Sequence, residues 1–174
     1  MLSWVVAIRA GIPGGRVKLN KAKKYNNKVA IVPLTIRLLS EFYKRMRPED
    51  MAECLAGPDS RNFLDIPISD LVECGAQALV YDNNLILGIG GVHKGCIWLL
   101  CTTHVEKHKV AFLRYMKTLI PILRKYWKEP LYNHAWERNK LHIAWLKSLD
   151  AKFYKRQDGF LYFYWLPITT YRKE

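Results

Sequence analysis

An apolar run that passes directly into a long amphipathic pattern, residues 96–127, constrains the fold of this chain most. Apolar residues within 107–128 recur at steps of three and four, the spacing of one buried helix face. The run 96–103 before them is typical of a buried strand. Pro121 lies near the predicted solvent-exposed side of the helix, where we expect a kink and not a break. The stretch therefore predicts a strand followed by a long helix over 107–128.

Three short apolar segments separated by turn residues lead into this helix. They predict strands over 78–81, 85–92 and 96–103, joined by turns at 82–84 and 93–95. Gly88, Gly90 and Gly91 inside the middle strand indicate a bulge or a close approach of two backbones. The pattern predicts an antiparallel meander.

The flanking segments complete a mixed architecture. Before the meander, the sequence predicts a strand at 29–32, helices at about 36–46 and 48–56 that stop at Gly57, and a helical turn at 69–73. After the long helix it predicts a strand at 131–136, a helix at 140–149 capped by Asn139, and a hairpin of 151–155 with 160–166. The expected fold class is α/β (α+β), with a mainly antiparallel central sheet and helices on both faces.

Charge distinguishes the first residues from the rest. The chain carries 28 Lys and Arg against 15 Asp and Glu, a net charge of +13, which favours nucleic acid, phosphate groups or acidic proteins as partners. We interpret 1–28 as a basic N-terminal arm and 29–174 as one domain. We interpret this arm first as a solvated tail or a peripheral strand. The functional alternative is an electrostatic contact to nucleic acid or an assembly partner.

Cysteine spacing and hydropathy exclude other classes. The four cysteines contain no C-x-x-C pair, so no zinc site is predicted and the thiols are expected to be free. No segment reaches the roughly 18 apolar residues of a membrane span, and the first residues lack the features of a signal peptide.

The order of elements over about 29–166 resembles the GCN5-related N-acetyltransferase (GNAT) superfamily, most clearly in the segments 47–50 and 139–153. A closer resemblance, over about 45–165, is to the internal virion protein A family of short-tailed phages. It rests on 97–100, 107–128, 132–136 and 145–153.

The resemblance implies an acetyl-CoA site where the central strand turns into the long helix. That site needs glycines, because a side chain would stand between the backbone amides and the pyrophosphate. The stretch 103–111 contains no glycine, and Glu106 brings the wrong charge. The side chains that could still bind the cofactor are Lys107, His108, Lys109 and Asn139.

The resemblance also implies a catalytic acid and a base. At the position of the superfamily's tyrosine acid stands Leu146, which cannot deliver a proton, and Asp150 replaces the glycine that follows. His104 and Glu106, at the strand end, are the candidate catalytic bases. A slot between the central strand and the strand at 131 that is filled by tryptophan (Trp98, Trp136 or Trp145) would argue strongly against catalysis.

These observations lead to a ranked set of functions. The first is a phage-encoded GNAT-like protein that binds a phage or host protein in virion morphogenesis, or as an internal virion component, with no cofactor. Its location would be the host cytoplasm during infection, or the virion interior. The alternatives are an acetyl-CoA-dependent N-acyltransferase and a basic module associated with nucleic acid.

Overall fold

The computed structural model of the chain describes residues 28–57 and 66–168. Within them, seven strands are formed: β1 (Val29–Pro33), β2 (Gln77–Tyr81), β3 (Leu85–His93), β4 (Cys96–Cys101), β5 (Leu131–Trp136), β6 (Lys152–Gln157) and β7 (Phe160–Trp165). The helices of the same ranges are α1 (Ile36–Arg45), α2 (Pro48–Ala56), α3 (Ile68–Glu73), α4 (His104–Lys107), α5 (Lys109–Tyr126) and α6 (Lys140–Ser148). The predicted basic arm lies outside the described residues except for Lys28.

The strands form one sheet in the order β1-β2-β3-β4-β5-β7-β6. Every neighbouring pair is antiparallel except β4 and β5, which are parallel. A parallel pair needs a crossover connection, and the segment with α4 and α5 supplies it. The predicted mixed, mainly antiparallel sheet is confirmed.

Helices cover both faces of this sheet because the strand side chains alternate between two cores. On β2, Leu79 belongs to a cluster that includes Phe112 and Met116 of α5 and Leu146 of α6. Its neighbours on β2, Ala78 and Val80, belong to a second cluster with Leu39 and Phe42 of α1. The sheet is therefore the middle layer of three.

The long helix departs from its prediction at its start. A four-residue helix, α4, precedes α5, and His108 separates the two. The amide of His108 donates to the carbonyl of His104 and closes α4, while the His108 ring stacks on Tyr81 at 4.1 Å between centroids. This ring contact with a distant strand gave no periodic signal in the sequence. Further along, α5 continues through Pro121, which is exposed.

Strand β4 also ends two residues before its prediction. Thr102 turns away from the strand direction because its hydroxyl donates to the carbonyl of Ile86 at 2.7 Å and its amide to that of Leu87 at 2.8 Å. Thr102 is completely buried. The end of β4 is thus fixed by side-chain bonding to β3.

The glycines of β3 confirm the predicted bulge and close approach. The register between β2 and β3 shifts at Leu79 and Val80, opposite Gly88. A Cβ atom on Gly88 would lie 2.6 Å from the carbonyl oxygen of Leu100, and one on Gly90 would lie 2.6 Å from that of Trp98. Only a residue without a side chain lets β4 approach β3 this closely.

Candidate functional site

The candidate site is a slot between the parallel strands β4 and β5. Within the described ranges their one register pair is Cys96 with Tyr132, where the Tyr132 amide donates to the carbonyl of Gly95 at 2.9 Å. At Asn133, a side chain takes the place of the next backbone-to-backbone hydrogen bond between the two strands. Its Nδ2 donates to the carbonyl of Ile97 at 2.7 Å, and its Oδ1 accepts from the amide of His134 at 2.8 Å. The backbones are thus bridged by a side chain as the slot begins.

Two carboxylates of α2 close the far end of the slot. Asp50 accepts the amide of Cys101, the last residue of β4, at 2.7 Å. Glu53 accepts the amide of Trp136, the last residue of β5, at 3.0 Å. The two carboxylates are three residues apart and therefore share one face of the helix. Helix α2 occupies the place where another strand would otherwise satisfy these amides.

Arg47 neutralises part of this buried negative charge. Its guanidinium lies 3.0 Å from Asp50 and 3.4 Å from Glu106, and its own amide donates to the carbonyl of Cys101 at 2.9 Å. Arg47 and Asp50 are 5% and 6% exposed, so both charges are held away from water. Burial raises the pKa of Asp50, although the Cys101 amide and the Arg47 charge act in the opposite direction.

Asn139 and His142 bind the same carboxylates from the other side. Asn139 donates from Nδ2 to Asp50 at 3.2 Å and to Glu53 at 2.8 Å, and its Oδ1 accepts the amide of His142 at 3.2 Å. The last contact confirms Asn139 as the N-cap of α6. Nδ1 of His142 lies 3.1 Å from Glu53. Burial would raise the pKa of Glu53, but the hydrogen bond and charge of His142 outweigh it and leave that pKa below its ordinary value.

A cavity of about 750 Å³ extends from the slot. It is lined by Trp98 of β4, His134 of β5, Phe112 of α5 and Trp145 of α6. The slot is thus lined by Trp98 and Trp145 rather than filled by them. Nε1 of Trp145 is buried and has no hydrogen-bond partner among the described residues. Surrounding protein atoms cover this Nε1, so it offers no donor to the open part of the slot.

The turn between β4 and α5 uses its backbone amides internally. The amides of Thr102 and Thr103 donate to the carbonyls of Leu87 and Arg45. Those of the next residues, Val105, Glu106 and His108, donate to the carbonyls of residues 102, 103 and 104. These five donors are therefore not available to a pyrophosphate.

The four predicted cofactor residues fall into two separate groups. Lys107, His108 and Lys109 line a smaller cavity of about 320 Å³ beside Tyr81 and Arg114. Lys109 lines the large cavity as well. Asn139, the fourth predicted cofactor residue, belongs instead to the cluster that closes the slot.

The two candidate bases, His104 and Glu106, have different surroundings. Glu106 lines the large cavity and pairs with Arg47. His104 lies on α4 near other cations, and its pKa is lowered by partial burial and by the charges of Arg45, Lys107 and His108. Their assignment as bases stays a prediction. At the end of α6, Leu146 is buried in the core, and Asp150 adopts a φ of 60°, a backbone conformation that favours glycine.

Nucleophilic thiols and metal sites receive no support from the described residues. Burial raises the pKa of Cys54, which lines the large cavity, to about 12, so its thiol stays protonated. All four cysteines are free, as expected. Residues 28–57 and 66–168 contain no group of three His, Cys, Asp or Glu side chains that could bind a metal.

The sequence did not single out Arg47, Asp50, Glu53 and His142 as one site. A signal existed in the two carboxylates, since they occupy the face of α2 that also carries the half-buried Met51 and Cys54. An acidic residue on a core-facing position needs a partner. Apart from Arg47, three residues before Asp50, the partners lie 51 to 89 residues away along the chain, which no local pattern reveals.

Fold and site define a mixed α+β protein whose sheet opens between two parallel strands, with a buried charged cluster at one end of the opening.

Residues 77–157 match a family described as "Bacteriophage T7, probable scaffold protein Gp13". The match runs from β2 to β6 and so includes both walls of the slot but not α2. It supports a phage origin. The resemblances to the GNAT superfamily and to internal virion protein A stay predictions.

No match was found among curated proteins. No helix of the described ranges is long and apolar enough to cross a membrane.

Proposed function

We propose that this protein acts in virion morphogenesis by binding a phage or host protein, and that it does so without a cofactor. The role in morphogenesis is supported by the match of residues 77–157 to a family described as a probable phage scaffold protein. The proposed setting is the host cytoplasm during infection, with the virion interior as the destination if the protein is packaged.

The single observation that favours binding over catalysis is the turn between β4 and α5. Its amides at Thr102, Thr103, Val105 and Glu106 donate to backbone carbonyls of the protein itself. An acyltransferase with a GNAT-like fold would direct amides of this turn at the pyrophosphate of acetyl-CoA. Rebuilding the turn for that purpose would break bonds that join it to α1 and β3.

The slot is the proposed binding site for an extended segment of the partner. Its cavity of about 750 Å³ has the size of a ligand pocket, and mainly apolar side chains line it. An extended peptide segment offers apolar side chains to such walls.

The test is to block the slot in an infection. Ala144 is an exposed residue of α6 that lines the cavity, whereas Lys147, equally exposed on the same helix, does not. We expect that a phage carrying Ala144→Trp makes few infectious particles, and that Lys147→Trp makes a normal number. Particle counts by electron microscopy would locate the defect in assembly. Normal assembly with a folded Ala144→Trp protein would contradict the proposal.

Analysis of the protein content of purified particles distinguishes a scaffold from an internal virion component, the two roles that the proposal allows. A scaffold is expected in procapsids and depleted from mature virions, whereas an internal virion component stays in both. Absence of the protein from both kinds of particle, together with normal assembly when the gene is deleted, would contradict a role in morphogenesis.

An acetyl-CoA-dependent N-acyltransferase is the second candidate, and the open cavity beside Trp98 and Trp145 favours it. Calorimetry with acetyl-CoA at moderate salt tests it directly. Saturable binding that is lost in the double variant Lys107→Glu, Lys109→Glu would support the enzyme and contradict the binding-only proposal. No heat at millimolar coenzyme would exclude the enzyme.

A further inference from the structure

Helix α5 and its flanking residues carry a concentration of positive charge, of which only Lys109 lines the cavity of the slot. The segment 107–128 contains seven Lys and Arg residues and no Asp or Glu. They are Lys107, Lys109, Arg114, Lys117, Arg124, Lys125 and Lys128. Helix α5 has 18 residues, so these charges extend over about 27 Å at 1.5 Å per residue.

Three of these cations lie on the exposed side of α5. Arg114, Lys117 and Lys125 are separated by three and eight residues, which places them within a sector of about 80° around a helix of 3.6 residues per turn. All three are exposed, while the opposite side of the helix is buried in the core through Phe112 and Met116. We call Arg114, Lys117 and Lys125 the α5 basic stripe.

The charges of this segment are not compensated within the described residues. Some exposed cations elsewhere have acidic partners, as in the pairs of Lys28 with Asp82 at 3.4 Å and Lys44 with Glu41 at 2.9 Å. In the described part of the chain, no carboxylate forms an ion pair with any of the seven cations of 107–128. Only Arg124 has a fixed role, because its Nε donates to the carbonyl of Leu166 at 2.7 Å.

We propose that the α5 basic stripe binds the phosphate backbone of double-stranded nucleic acid. From Arg114 to Lys125 the stripe extends over about 17 Å at 1.5 Å per residue, a length that suits a polyanion rather than a single small anion. Lysine, which supplies five of the seven cations, binds phosphate as a point charge and is depleted from protein–protein interfaces. This inference does not depend on the proposed role in morphogenesis.

The surroundings of the stripe favour nucleic acid over an acidic protein. Binding energy between proteins is concentrated in central aromatic or apolar anchors that become fully buried. Between Lys117 and Lys125, the exposed positions of the helix are occupied by Thr118 and Pro121. The exposed large apolar side chains of α5, Val110 and Tyr126, lie near its two ends, so the stripe has no central anchor and suits contacts to phosphates, which carry no sequence information. The binding is therefore expected to be independent of sequence and strongly dependent on salt.

The test compares two variants of the full chain with equal net charge. The stripe variant carries Arg114→Gln, Lys117→Gln and Lys125→Gln. The control carries Arg37→Gln, Lys44→Gln and Arg45→Gln, three exposed cations of α1, which packs in the core of the other sheet face. Fluorescence anisotropy with a labelled 20-base-pair duplex would be recorded from about 50 to 200 mM salt, the range in which such contacts weaken most.

The stripe variant should bind the duplex at least about tenfold more weakly at 0.1 M salt, and its slope of log K against log salt should be smaller by about 2 to 3. The control should keep the slope of the native protein. An equal loss in both variants would mean that only net charge matters and would overturn the inference. Binding of poly-glutamate but not of DNA by the native chain would assign the stripe to an acidic protein instead. Thermal melts of both variants would confirm that they are folded.

Discussion

At the scale of single residues, Asn139 connects the fold to the slot. Its Oδ1 caps α6 and its Nδ2 donates to two buried carboxylates. We expect Asn139→Ala to lower the free energy of unfolding by about 2 to 4 kcal/mol, because it removes a cap and one donor from each of two buried carboxylates. Asn139→Ser keeps a capping oxygen and should lose less. Urea denaturation would measure both.

Thr35 offers a matched control for the cap. It caps α1 through the Leu38 amide at 3.3 Å, and its hydroxyl has no buried carboxylate partner in the described residues. Thr35→Ala should therefore cost only about 1 kcal/mol. If Asn139→Ala and Thr35→Ala were equally destabilising, the donors of Asn139 to Asp50 and Glu53 would contribute nothing.

The Glu53 carboxylate makes stability depend on pH in the acid range. Its pKa in the folded protein lies below the ordinary value of 4.5 because contacts with His142, Trp136 and Asn139 outweigh the effect of burial. The ionised form therefore stabilises the fold above pH 4.5, and this contribution is lost as pH falls through the folded-state pKa. We expect the unfolding free energy of Glu53→Gln to be lower at pH 7 and to change less from pH 5 to pH 3.

Two other carboxylates serve as references for this pH experiment. The pKa of Asp50 is raised by burial, so its contribution has the opposite sign and is common to the native protein and Glu53→Gln. The pKa of exposed Glu41 is lowered by its hydrogen bond to Lys44, but a surface pair is screened by solvent. Glu41→Gln should therefore leave the pH profile nearly unchanged. A profile of Glu53→Gln parallel to that of the native protein would contradict the assignment.

At the scale of elements, the close contact of β3 with β4 depends on glycine. A Cβ atom on Gly90 would lie 2.6 Å from the carbonyl oxygen of Trp98, part of a backbone that the sheet holds in place. We expect Gly90→Ala to lower the unfolding free energy by about 2 to 3 kcal/mol. Gly57 is the control, since its added Cβ would have only ordinary contacts from 3.4 Å and its φ is −65°. Gly57→Ala should change stability by less than about 0.5 kcal/mol.

The elements were predictable because their signals are local. Alternating or continuous apolar runs located the strands, and Pro48 and Gly57 marked the two ends of α2. The break at His108 was not predictable from a local pattern, because the ring that stacks on His108 belongs to Tyr81 on β2. The charged cluster was missed for the same reason. Its carboxylates accept amides from strands that fold against α2 only in the tertiary structure.

At the scale of the whole molecule, net charge alone did not locate the basic surface. The sequence suggested the segment 1–28, and the structure adds the outward face of α5. The two are separable in experiment because each carries its own set of cations. Residues 1–27 contain six Lys and Arg, and 107–128 contain seven. Each set is expected to contribute its own share to the salt dependence of binding to a polyanion.

The boundary of the folded domain can be tested by truncation. The carbonyl of Lys28 accepts the amide of Asp82 at 2.6 Å, and its Nζ lies 3.4 Å from the same residue, so the cut belongs before Lys28. We expect the chain 28–174 to keep its circular dichroism spectrum and to melt within a few degrees of the full chain. Its binding to a polyanion should show a salt slope smaller by up to about 5, because six cations are removed.

A longer truncation gives the contrasting outcome. The chain 34–174 also lacks β1, which pairs with β2 from Val29 opposite Tyr81 to Pro33 opposite Gln77. Val29 is 3% exposed and belongs to the core that contains Phe112 and Met116. Loss of this strand exposes apolar surface and one edge of β2, so 34–174 should be unstable or aggregate. If 28–174 failed to fold as well, residues 1–27 would be part of the domain core and the interpretation of a separate arm would be wrong.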